Sequence, residues 1–177
     1  MSAYNITLFV HISSALLLFF AFGIEWTAIS FLGKTQSSEE AGNWLRLAKL
    51  APIINGPALL VAILSGAYLA SQIGAFKQGW VSASFIGIAI VAAIGGAINV
   101  PKLRAIRTAI PNGGAALGAA LQTKALPVSV RLRTCTVLAI VYTMVVKTSL
   151  GLSMTVLGIG LIVGLLLSIP VLTRKAI

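Results

Sequence analysis

Five apolar runs, each at least 18 residues long, take up most of this 177-residue chain, at about 4–32, 50–73, 80–100, 130–147 and 150–172. Wound as an α-helix at 1.5 Å per residue, a run of that length matches the hydrocarbon thickness of a bilayer. Irregular backbone exposed to lipid leaves its N–H and C=O groups unpaired, so each run reads as one helix. Only 9% of the residues are charged and 58% are hydrophobic, too little charge to cover the surface of a water-soluble domain. The expected fold is therefore all-α: one transmembrane domain over 1–177, a bundle of five membrane-spanning helices with no room for a separate soluble unit.

The basic residues orient that bundle. Alternating sides gather Lys34, Arg46 and Lys49, then Lys102, Arg104, Arg107, Lys124, Arg131 and Arg133, then Arg174 and Lys175 on one face. Only Lys77 and Lys147 fall on the other. Basic loops are retained in the cytoplasm, which places the N-terminus outside and the C-terminus inside. A four-span reading puts Arg174 and Lys175 outside or leaves the last apolar run unexplained. The formal net charge of +10 has neither a basic helix nor interleaved aromatics behind it. Anionic lipid headgroups at the cytoplasmic face are thus the expected partner, and nucleic acid is not.

The first run lacks a Lys/Arg n-region and continues past Trp26 to Leu32, so it reads as a span and not a cleaved signal peptide. Ser37 or Ser38, followed by Glu40, is placed to cap a helix leading into the second span. Pro52 and Pro57 lie in the first turns of that span, and Pro57 is a candidate kink. The third helix is expected to run on beyond the membrane until Pro111-Asn112-Gly113-Gly114 breaks it. The short link from Lys147 to Gly151 makes the last two helices antiparallel neighbours. Gly160 with Gly164, and Ala92 with Gly96, are small-residue pairs that let helices approach closely, within one bundle or between two copies of a homo-oligomer. Cys135 is the only cysteine, which excludes an intramolecular disulfide.

Two residues of the first span carry most of the chemical interest. His11 and Glu25 lie 14 positions apart, so they share a helix face to within roughly 40°. Ionisable groups in a span turn toward the bundle or a wet crevice. The pair therefore marks a buried ligand site or proton path, or else a neutral histidine bonded to a hydroxyl and a glutamate that is protonated or reaches the interface. Lys147 closes the fourth span at about the depth of His11, either snorkelling to headgroups or pairing with an anionic ligand between the first and fourth helices. Asn55 sits beside two prolines, where it lines a polar path with Gln72 or satisfies freed backbone groups. Asn99 has the same bland reading.

A single histidine excludes bis-histidine haem ligation within one chain. His11, Met144 and Met154 form a candidate copper set, since thioether and imidazole suit Cu(I). The chain carries no P-loop, no G-x-S-x-G, no H-E-x-x-H and no cysteine pair, hence no recognisable soluble-type catalytic constellation.

The opening helix FVHISSALLLFFAFGIEW, the second-helix segment LAPIINGPALLVAILSGAYLA, the Trp-led third helix ending in NVPKLRAI and the closing YTMVVK together resemble a family of predicted bacterial integral membrane proteins. That family has no assigned activity and is distantly similar to the copper-resistance D and HemJ-type membrane proteins. The resemblance covers roughly residues 4–148, and the fifth span is an addition to the usual four-helix pattern. It implies a bacterial inner (plasma) membrane location. The HemJ-type relatives bind haem b and oxidise protoporphyrinogen with a His and a Lys, for which His11 and Lys147 are this chain's candidates. Here Lys147 is followed by Thr148 where the family has proline, and Glu25 stands where a small or apolar residue is expected. The function expected is thus a small-ligand, haem or metal binding or redox-accessory protein with its site near the outer face. A channel or transporter subunit with a polar path along Glu25, Asn55 and Gln72 is the first alternative, and a structural or scaffolding protein the second.

Overall fold

The computed structural model describes residues 2–35 and 37–173, and within them the fold is all-helical, with no strand. Helix α1 (Ala3–Leu32) starts where Ser2 accepts from the Asn5 amide and stops at Gly33. Helix α2 (Ser38–Gln72) is capped by Ser37, whose hydroxyl accepts from the Glu40 amide, and Glu39 and Glu40 in its first turn face the positive end of the helix dipole. It carries Pro52 and Pro57 inside it and is one continuous helix of 35 residues, about 52 Å at 1.5 Å per residue. The expected leader and second span are thus a single rod.

Gly74 takes a left-handed conformation, φ 62°, and a 3₁₀ turn over Ala75–Lys77 leads into α3 (Gly79–Ile94). A π-helical turn follows at Gly95–Asn99 and runs directly into α4 (Val100–Ala109). The break expected at Pro111 to Gly114 is present. A 3₁₀ turn covers Ile110–Asn112, and Gly113 adopts φ 55°, ψ −158°, a region essentially reserved for glycine. Helices α5 (Gly114–Leu121) and α6 (Ala125–Val146) follow. The stretch 101–129, polar by sequence, is therefore largely helical: Ile106, Ala109, Leu117 and Leu126 bury themselves against Ile29, Leu32 and Ala41 and close one end of the bundle.

Lys147 ends α6 with a left-handed backbone, φ 54°, and the short turn delivers α7 (Leu150–Leu166), capped by Ser149. The fifth run is not one straight helix. Pro170 removes an amide and crowds the preceding turn, so the chain turns at Leu167–Ser168 before α8 (Ile169–Thr173). Arg174 and Lys175 lie outside the described residues.

Among the described residues five helical stretches are long and apolar enough to cross a membrane, Ala3–Leu32, Ser38–Gln72, Gly79–Asn112, Gly114–Val146 and Leu150–Thr173. Their outer faces expose Phe9, Leu16, Phe20, Leu64, Ile159 and Ile162 among many large apolar residues, far more than a surface in water tolerates. Helix α1 packs along α2, while α6 packs on α7, α3 and, more lightly, α1. The Gly160/Gly164 pair serves contacts within the chain: a Cβ at Gly160 would lie 3.0 Å from the Cys135 carbonyl oxygen, and one at Gly164 2.9 Å from Leu132 Cα. Ala92 and Gly96 do not pack in this way. Both are exposed, and a Cβ at Gly96 would meet nothing within 4 Å.

Candidate functional site

The α1–α2 pair and the α3–α6–α7 group leave between them a cleft of about 700 Å³, of the size that holds small ligands. Its walls are mainly apolar, with Leu18, Phe19, Leu59, Ile88, Val137 and Ile140 among them. Polar side chains collect toward its two ends. His11, Tyr4 and Lys147 line one, and Glu25, Asn99 and Arg133 the other. From His11 to Glu25 is 14 residues of continuous helix, so the ends stand about 21 Å apart along α1.

At the first end the His11 ring is held by α2. Nδ1 lies 3.0 Å from the Ala62 carbonyl oxygen and 3.2 Å from Ser65 Oγ, while Ser65 itself donates to the Val61 carbonyl at 2.6 Å. Because the Ala62 carbonyl can only accept, Nδ1 is the donor in that bond, and Nε2 is the ring nitrogen left over for a further partner. Nε2 makes no hydrogen bond to the described residues. Gly66 permits this placement, since a Cβ there would lie 2.9 Å from His11 Cε1. Ser65 supplies a hydroxyl partner of the kind weighed for His11 from the sequence. Lys147 lines the same cleft and is exposed, and no hydrogen bond among the described residues joins it to His11.

At the second end lies a buried ion pair that joins residues 108 positions apart. Arg133 Nη1 donates to Glu25 Oε1 at 2.8 Å and to Oε2 at 2.9 Å, with side chains only 10% and 7% exposed. Asn99, delivered by the π-helical turn, donates its Nδ2 to Glu25 Oε1. The guanidinium lies 4.8 Å from the centre of the Phe22 ring and packs flush on Gly95, where a Cβ would sit 3.3 Å from Cζ. Glu25 is thus neither alone nor turned to an interface. One anion and one cation cancel in a low-dielectric interior, where either alone is costly.

The other sequence candidates divide. Asn55 lines the cleft with its Oδ1 buried and without a partner. Met144 lines it too, but also packs with the cluster of Ala83, Ala139, Ile140 and Leu157. Met154 is exposed at 39% on α7 and is not part of the cleft wall; Gln72, also exposed, is not part of it either. No group of three or more His, Cys, Asp or Glu side chains gathers among the described residues.

Arg133 and Asn99 were missed by the sequence reading as partners of Glu25, and Arg133 was counted there as a loop charge. One signal was present. Arg133 lies within the fourth apolar run, and of the three acidic residues in the chain only Glu25 lies in a span. Compared with known protein families, curated proteins and solved structures, the chain matches none.

Proposed function

We propose that this chain is a multi-pass membrane protein that binds a small, mostly apolar ligand in the cleft between α1–α2 and α3–α6, with His11 Nε2 as the group that contacts it. The observation that carries this reading is the orientation of His11: α2 holds the ring through Nδ1 and leaves Nε2 free on the wall of an apolar cleft of about 700 Å³. A hydrogen bond from the distal ring nitrogen to a carbonyl is how proteins orient a ligating histidine and raise its basicity. For haem b, which the family resemblance implies, His11 would be the one residue here to hold the iron, with apolar walls to exclude water. Bound there, haem supplies one-electron redox chemistry. Copper finds less support, because His11 and Met144 line the cleft and Met154 does not.

The basic loops favour the His11 end as the outer one, with anionic headgroups around Lys102, Arg104 and Arg107, which are exposed on α4, and the family resemblance implies a bacterial inner membrane as the setting. The polar-path reading draws on Glu25 and Asn55 in the cleft wall, but Glu25 is engaged by two partners and Gln72 lies off the wall.

Absorption spectra and elemental analysis of detergent-purified protein test the proposal. A Soret band or stoichiometric metal that disappears in His11→Ala supports it with the cofactor named. A colourless, metal-free protein without any co-purifying lipophile contradicts it. Liposome flux that falls in Glu25→Gln would favour the transporter reading instead. Silence in both experiments would favour a scaffold.

A further inference from the structure

We infer that the Glu25 end of the cleft is a second polar subsite, one that recognises an uncharged hydroxyl on an otherwise apolar ligand; this rests on the cleft being a ligand site. The ion pair leaves polar atoms over. Glu25 accepts from Asn99 Nδ2, and a carboxylate only accepts, so the Asn99 amide is fixed in orientation and its Oδ1 is the acceptor left over. That oxygen is buried and has no hydrogen-bond partner, on a residue only 5% exposed. Arg133 spends Nη1 on the carboxylate, and neither Nε nor Nη2 bonds any described residue. Both side chains form the cleft wall, as does Gly95, where a Cβ would lie 3.6 Å from Nη2 and 3.3 Å from Nε. An unpaired acceptor and unpaired donors on two side chains that share the Glu25 carboxylate and line the cleft are the complement of a hydroxyl, which donates once and accepts at its lone pairs.

Charge selects the class further. Glu25 already neutralises Arg133, so an anionic head would meet the carboxylate and a cationic head the guanidinium, each at a desolvation cost that no third charge offsets. A neutral hydroxyl carries no such cost. The π-helical turn suits this role. Its extra residue places Gly95 under the guanidinium and Asn99 against Glu25 in the same turn, and π-bulges of this kind are frequent at functional sites. The ligand class is therefore an apolar alcohol or phenol whose hydroxyl reaches the Asn99–Arg133 corner while its body lies between the apolar walls.

Equilibrium binding of 2-naphthol and of its methyl ether, 2-methoxynaphthalene, to the full chain in nanodiscs tests this, with empty nanodiscs subtracted. The ether keeps the apolar body and removes the donor. Wild type is expected to bind the naphthol about tenfold tighter than the ether, the scale of one buried acceptor left unpaired. That preference should collapse in Asn99→Leu, and also in Gly95→Ala, which crowds Arg133 while retaining every polar group. Equal affinity of wild type for the two probes overturns the subsite and leaves the cleft reading standing. A preference that survives in both folded variants overturns it as well. Binding of neither probe above empty nanodiscs overturns the cleft reading and the subsite together. If Asn99→Leu does not fold, the wild-type preference and Gly95→Ala decide.

Discussion

Arg133→Met, which removes one partner of the buried pair, should be among the most damaging single changes in this chain. Glu25 would lose both bonds from Nη1 and keep only Asn99, with its side chain 7% exposed. Stranding one charge of a buried pair costs about 3–5 kcal/mol. The lost contact with the Phe22 ring adds at most about 2 kcal/mol. Glu25→Gln keeps the shape and strands the guanidinium, so a loss of about 3 kcal/mol is expected there too. In the double variant no charge is left unpaired, and Met can still fill the space against Phe22. Its loss should fall short of the sum of the two single losses by about 2–3 kcal/mol, the upper range for residues in direct contact. Reversible unfolding in mixed micelles, followed by circular dichroism and by fluorescence of Trp26, Trp44 and Trp80, gives all three values. Single variants within about 0.5 kcal/mol of wild type, or a strictly additive double variant, would refute the pair as a tie between α1 and α6.

Three further outcomes follow from particular contacts. Gly164→Ala places a methyl 2.9 Å from Leu132 Cα, a backbone atom that cannot step aside, and should cost about 1–3 kcal/mol in the same unfolding assay. Gly158→Ala meets nothing within 4 Å on the same helix and should instead stabilise by about 0.5–1 kcal/mol. Gly66→Ala pushes on His11 Cε1, the mobile end of a side chain, so the ring should turn away from Ala62 and Ser65. Ligand retention should then fall several-fold with melting little changed, as measured by spectra and thermal scans of one preparation.

Much of the fold was legible because lipid imposes a simple rule. Apolar length yields the spans, and the proline and glycine breaks at 111–114 and the serine cap before Glu40 are local signals that need no tertiary knowledge. The buried cap of Ile106, Leu117 and Leu126 was not legible, since the basic residues around them hide a short apolar face within a polar stretch. At the site, the histidine and glutamate stood out as ionisable groups in an apolar run. Their partners did not. Which face of α6 meets α1 depends on packing among helices far apart in sequence, and a rule that assigns every cation to a loop absorbed Arg133 before its partner was sought. Asn99 read as bland because nothing local announces a π-helical turn at Gly95-Gly96.

Native mass spectrometry of the chain released from membranes, with no ligand added, tests most directly whether the cleft is a binding site. Gly96→Phe provides the control: it adds bulk at a position on the cleft wall where a Cβ meets nothing within 4 Å. Wild type is expected to carry a discrete retained mass that is largely lost from folded Gly96→Phe. Identical adducts on both proteins, or none on wild type, would contradict it.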